Sequence, residues 1–150
     1  MRFPDTEAET LTGEVVTYPR DFAGARTIGI VAFDLKHLAD CATWVPFIDG
    51  YARSGSARGR LFAAMSRAMK PMKGVIYATM RKGAPTPEAR ESTVPLFVDL
   101  DEFCASLGVT DRAHIQTFVF EPDGSVSAHH VGPFADAAAR AIEARLRVDP

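Results

Sequence analysis

Two cysteines, four histidines and a run of basic residues mark where this sequence could do chemistry. His37 and Cys41 lie four apart, a spacing that puts both on one helix face and suits a thiolate–imidazolium pair or half of a metal site. A second half has no candidates. His129 and His130 are adjacent in an extended run, so their rings face opposite ways and cannot share an ion, and His114 falls in the loop Thr110–His114. No metal and no other cofactor is expected. Ser54-Gly55-Ser56-Ala57-Arg58-Gly59 lacks the lysine and the spacing of a phosphate-binding loop, and no serine-nucleophile motif is present. Cys104, between Phe103 and Ala105, reads as a small core residue. Two cysteines are too few for a disulfide framework or a four-cysteine zinc site, so two reduced thiols in a cytoplasmic setting are expected.

The charges are unevenly spread. Net charge is −2, yet from Arg53 to Arg90 there are nine basic residues against one acid, Glu88. Lys70, Lys73, Arg81 and Lys82 should lie on or beside one helix, where they could steer a protein partner with an acidic surface. The interleaved Met65, Met69, Met72 and Met80 could adapt to such a partner, or serve as core. Only the aromatics Phe62 and Tyr77 interleave with the basic residues, so nucleic-acid binding is not expected.

These residues must be positioned by one globular unit. A chain of 150 residues, 47% hydrophobic and 24% charged, has ordinary globular composition, which argues against disorder, coiled coil and collagen. No run of 18 apolar residues is present, and the acidic start Met1–Glu7 does not resemble a signal peptide. Residues 1–9 are expected as a flexible tail and 10–150 as a single domain. Thr27–Phe33 is a β-branched apolar run that predicts a central strand buried on both faces. Leu38, Cys41, Ala42, Val45, Ile48 and Ala52 recur at threes and fours, predicting a helix over Ala39–Arg53 that Pro46 should kink. Arg60–Ser66 predicts a second strand, parallel to the first by the β–α–β order. Helical spacing runs from about Pro71 to Lys82, and Gly83–Pro87 is expected as a loop. Pro95–Asp99 predicts a strand, and Asp101–Leu107 a short helix stopped by Gly108. Ile115–Phe120 and Ser125–Val131 flank Glu121-Pro122-Asp123-Gly124, a hairpin turn signal. Phe134, Ala138, Ala141, Ile142 and Leu146 stripe a closing helix.

This order of elements resembles the thioredoxin fold: an α/β, three-layer α/β/α sandwich with a mixed central sheet. Val31–Cys41 is similar to the stretch in which a thioredoxin's first strand runs into its cysteine pair, and Pro46 lies five beyond Cys41, as the family's helix proline lies five beyond its second cysteine. Leu11–Val16, Phe22–Arg26, Ser106–Val109, Phe118–Val126 and Gly132 resemble parts of the peroxiredoxin and thiol-reductase branches. Trp44-Val45-Pro46-Phe47, Met80-Arg81-Lys82 and Leu107-Gly108-Val109 resemble features of the mitochondrial ATP-synthase assembly factors of thioredoxin-like fold. Against the family pattern, the attacking position holds Leu38, and only the resolving position, Cys41, keeps sulfur. The cis-proline position falls near Gln116. Exchange through an internal disulfide needs both thiols, so the resemblance implies a domain that has lost the catalytic pair and binds another protein, as an assembly factor or chaperone. Its contact surface would comprise His37, Leu38, Asp40, Cys41, Trp44 and Gln116, with Lys70, Lys73, Arg81 and Lys82. The alternative is a thiol-dependent peroxidase or reductase in which Cys41 is catalytic and an external thiol resolves it. Partner identity and oligomeric state are left open.

Overall fold

A computed structural model describes residues 1–148; Asp149 and Pro150, the end of the expected domain, lie outside the described residues. A two-stranded hairpin comes first, β1 (Thr6–Glu9) antiparallel to β2 (Val15–Tyr18). The main sheet comprises β3 (Thr27–Ala32), β4 (Arg58–Ser66), β5 (Thr93–Val98), β6 (Gln116–Phe120) and β7 (Val126–Val131), in the order β5-β4-β3-β6-β7. All six residues of β3 are buried, as a continuous apolar run requires at the middle of a sheet covered on both faces. It pairs in parallel with β4, Ile30 opposite Leu61, and antiparallel with β6, Ile30 opposite Thr117. The expected mixed sheet, its central strand and the hairpin at Asp123-Gly124 are all present.

The helices are α1 (Leu38–Ser54), α2 (Lys73–Gly83), α3 (Pro87–Ser92), α4 (Leu100–Leu107) and α5 (Asp136–Leu146). Helix α1 runs on through Pro46 and ends at Gly55, whose positive φ of 73° closes the last turn with bonds to the carbonyls of Tyr51 and Ala52. Gly108, also at φ 73°, ends α4 as expected. Helix α3 departs from the expectation: it begins at Pro87, the last residue of the segment Gly83–Pro87 read as loop, and no helix is predicted beyond it. The signal was present as Thr86-Pro87-Glu88, a capping hydroxyl, a first-turn proline and an acid at the helix N-terminus.

Two apolar clusters fill the space on either side of the sheet. On one face Cys41, Trp44 and Ile48 of α1 and Ala138 and Ile142 of α5 meet Ile28, Ile30, Ile115 and Val119. On the other, Phe103, Cys104 and Leu107 of α4 join Phe3, Tyr18 and Phe22 against Phe62, Leu96, Phe118 and Phe120. The two cysteines therefore occupy opposite faces of the sheet, and both are free thiols.

The N-terminus corrects an expectation. Residues 1–9 are not a loose tail: β1 pairs with β2, and Phe3 is 1% exposed, ringed by Tyr18, Phe22, Phe62, Phe103 and Phe120 at centroid distances of 5.0–5.5 Å. One large aromatic at position 3 offsets the polarity of its neighbours, because ring burial removes far more apolar surface from water than short acidic residues hold in it.

Candidate functional site

The chain leaves β3 through a 3-10 turn, Leu35–His37, capped by Asp34, whose side chain accepts the Lys36 N–H at 3.1 Å. His37 folds beneath this turn. Its Nδ1 accepts the Phe33 N–H at 3.3 Å, which assigns the hydrogen of the neutral ring to Nε2, and that atom is buried with no partner among the described residues. At 3% exposure His37 is no contact residue, in contrast to the sequence expectation. Leu38 opens α1 at 45% exposure, with Asp40 half-buried beside it.

Cys41 is 5% exposed, turned toward the sheet. Burial, assisted by the neighbouring Asp40 carboxylate, pushes its thiol up to about 11. At neutral pH only about one molecule in 10⁴ would carry the thiolate, the species that attacks a disulfide or peroxide. A nucleophile would need the opposite environment, electropositive and partly exposed.

Two further expected contact residues are interior. Trp44 is fully buried; its indole N–H donates to the Gly132 carbonyl at 3.2 Å, and its ring packs on Phe47, Phe134 and His130. Gln116 is 1% exposed, its amide N–H groups donating to the carbonyls of Asp111 and His114, at 2.8 and 3.3 Å, while its Oε1 lies 2.7 Å from His129 Nε2. His129 stacks on Phe118 and is held below the usual histidine range by burial and by His130. His130 meets Trp44 on the other face, as alternation along a strand requires. His114 is exposed, 2.6 Å from Asp111, whose carboxyl is lowered by that contact and by the Ala113 N–H. Among the described residues no group of three or more His, Cys, Asp or Glu could hold a metal ion.

The basic segment divides in two. Lys73 pairs with Glu9 at 2.9 Å, and the Arg81 Nε–H donates to the Leu11 carbonyl at 2.9 Å. Between them the Tyr77 hydroxyl donates to the Glu9 carbonyl, with both cations against its ring. Lys73 and Arg81 thus fasten α2 to the N-terminal hairpin rather than standing free for a partner. Lys70 and Lys82 are exposed, as are Met69 and Met72, while Met80 packs with Leu11, Tyr77 and Ala84.

The feature not anticipated is a groove of about 900 Å³ along α1. One wall is α1, the other α2 and α3, and the floor includes Ile30, Gly59 and Leu61. Gly59 is needed there, because a Cβ at this position would collide with Ile48. The signal was in α1: six apolar positions at threes and fours make a stripe wider than one sheet-facing stripe needs. Cys41, Trp44 and Ile48 turn to the sheet, while Leu38, Val45 and Ala52 remain exposed.

No protein-family model matches this sequence, and no curated protein does. Solved structures do. A putative thiol:disulfide interchange protein, DsbE, from Chlorobium tepidum matches at TM-score 0.58 and 18% identity, over 97% of this chain and 92% of that one. The exposed lipoprotein thioredoxin Etrx1 from Streptococcus pneumoniae strain TIGR4 matches at 0.61 and 15%, over 96% and 98%. BsSco, of the Sco family of cytochrome c oxidase assembly proteins, matches at 0.61 and 12%, over 99% and 95%. At identities this low the similarity shows the fold alone: the chain has a thioredoxin-like fold.

Proposed function

We propose that this chain is a non-catalytic thioredoxin-like protein that binds another protein, in the manner of an assembly factor or chaperone. The observation that carries the reading is the state of sulfur at the head of α1: the exposed first position is Leu38, and the one sulfur nearby, Cys41, is buried with its thiol raised to about 11. The contact is assigned to Leu38 and Asp40, flanked by Leu35, since Trp44, Gln116 and His37 lie beneath the surface. Lys70 and Lys82 are the two basic residues left to meet an acidic patch on a partner. The similarity to BsSco, a member of a family of assembly proteins, supports the assembly reading, and the narrower likeness to ATP-synthase assembly factors belongs to it. A cytoplasmic site of action is part of the proposal, supported by the two unpaired cysteines. No helix among the described residues is long and apolar enough to cross a membrane.

The rival is a thiol-dependent reductase or peroxidase acting through Cys41 with an external thiol. It is favoured by the structural similarity to the DsbE protein and to a thiol-disulfide oxidoreductase from Bacteroides fragilis. Cys41→Ser separates the two. The binding reading expects the fold and the capture of the native partner to survive this change. Peroxide or disulfide turnover well above that of free cysteine, abolished by Cys41→Ser, would establish the rival.

A further inference from the structure

Helix α1 carries two stripes. Leu38, Ala42, Val45, Asp49 and Ala52, at alternating spacings of four and three, line the groove and are exposed along their whole length. Spacing of this kind is the seam by which one helix packs on another, and no element of the described chain covers it. A 17-residue helix is about 25 Å long. A trough of that length, lined along one wall by a single helical stripe, matches the apolar face of one helix.

Charge selects among helices. The acids at the rim are Asp49 on one wall and Glu88 and Glu91 on the other, all exposed. Two arginines also border the groove, but their guanidinium groups are committed elsewhere. Arg58 donates to the carbonyls of Asp21 and Ala23, and Arg60 donates to the Gly59 carbonyl and lies beside the Tyr18 phenol. These bonds to neutral carbonyls hold the two guanidinium groups in place without cancelling their charge, but the acids outnumber them three to two, and the exposed charges at the rim, Asp49, Glu88 and Glu91, are negative where Lys70 and Lys82 are positive.

We propose that this groove binds a cationic amphipathic helix of a partner protein, with apolar residues at helical spacing laid along α1 and lysines or arginines on either side meeting Asp49, Glu88 and Glu91. This rests on the protein-binding reading above and names the chemistry of the segment bound. Helix-in-groove recognition takes its affinity from the apolar anchors, and the flanking charges set orientation and reject acidic competitors.

The test uses the full chain and three fluorescent peptides of about 18 residues, the length that spans α1. One has leucines at helical spacing flanked by lysine and arginine, one has the same leucines flanked by glutamate, and one has the first composition scrambled. Anisotropy should show the cationic amphipathic peptide binding at least about tenfold more tightly than the other two, the margin narrowing as salt is raised. Val45→Lys should abolish binding, and Asp49→Lys combined with Glu91→Lys should shift preference to the glutamate peptide. All three positions are exposed, so unchanged melting temperatures should accompany the effects. Equal binding of the scrambled peptide, or a preference that survives the charge reversal, would overturn the proposal. So would a dimer in sedimentation that Val45→Lys dissolves, which would assign the groove to a second copy of this chain. Retention of the native partner by Val45→Lys while Asp40→Lys, a change outside the groove, loses it would refute the groove and leave the protein-binding reading standing. Turnover dependent on Cys41 would instead remove that reading.

Discussion

Cys41 shows how little a residue's type says about its chemistry. A cysteine in the first turn of a helix has the helix dipole in its favour, which lowers a thiol's pKa. Here burial against Ile30 and Trp44, with Asp40 adjoining, outweighs it and raises the thiol to about 11. Alkylation of the folded protein should therefore climb along a titration near pH 11 and be slow at pH 8. Stability follows the same linkage. The folded value lies above the ordinary thiol value of 9, so the contribution is fully present below pH 9 and is lost as pH rises through 11. Stability of Cys41→Ala should accordingly change less over that interval than that of the parent, measured by urea unfolding at each pH. A parent thiol titrating near pH 7 would contradict the packing assignment. Trp44 makes the complementary point: its indole N–H and its ring are both satisfied internally, so its size contributes to the core and not to a surface.

At the scale of elements, the basic residues of α2 are distinguished by where their turns point. Lys73, Tyr77 and Arg81, at successive helical steps of four, all face the N-terminal hairpin. Lys70 precedes α2, in the 3-10 segment Arg67–Met72, and borders the same cleft as Lys73 and Tyr77 while staying exposed; Lys82 lies off the stripe. Lys73→Glu would set a carboxylate against Glu9 and should cost about 1 kcal/mol, modest because both partners are more than a third exposed. Lys82→Glu should change stability by less than about 0.5 kcal/mol and, if the acidic-partner proposal holds, slow association instead. Comparing urea midpoints with association rates for the two variants checks the division; equal stability losses would sink it. The expectation that Lys73 and Arg81 act as free steering charges fails for this reason. Helix α3 and β5 complete the same layer, since Ala89 and Phe97 pack with Met80 against Leu11, Tyr77 and Ala84.

Across the whole molecule, two contacts tie distant parts of the chain together. Phe3 joins the N-terminus to β2, β4, α4 and β6 through one cluster of rings. Phe3→Ala should destabilise by about 3–5 kcal/mol, the range for emptying a large aromatic site. A loss below 1 kcal/mol by denaturant titration would mean that the N-terminus is dispensable. On the opposite side of the sheet Glu121 accepts from Arg26 at 3.0 Å and from Arg145 at 3.1 Å, and Arg26 also reaches the Leu146 carbonyl, so β3, β6 and α5 meet at one carboxylate. Burial alone would raise this carboxyl, but the Ser127 and Arg26 hydrogen bonds and the two arginine charges hold it below its usual value. Its stabilising effect is therefore present above the ordinary glutamate range and lost as pH falls through the lowered value. Glu121→Gln should cost about 3–5 kcal/mol at neutral pH, because Arg26 would be left buried and unpaired, and the deficit should shrink on acidification. A pH-independent deficit would show that the carboxylate charge is not responsible.

What the sequence by itself determined is the set of features governed by neighbours along the chain. The all-apolar run Thr27–Ala32 could only be a central strand, the alternation around Asp123-Gly124 a hairpin, and Gly108 the end of a helix, because strand and helix periods and left-handed turns are properties of a few consecutive residues. That Leu38 stands where a thioredoxin carries its attacking sulfur was legible only through the resemblance to that family. Tertiary structure alone decided which side chains of a correctly predicted element are spent inside the protein. Trp44 finds its acceptor 88 residues away at Gly132, and Lys73 finds Glu9 at a distance of 64. The groove beside α1 was decided there too: a stripe of apolar residues reads the same whether another element covers it or none does, and that depends on the path of residues far off in the chain.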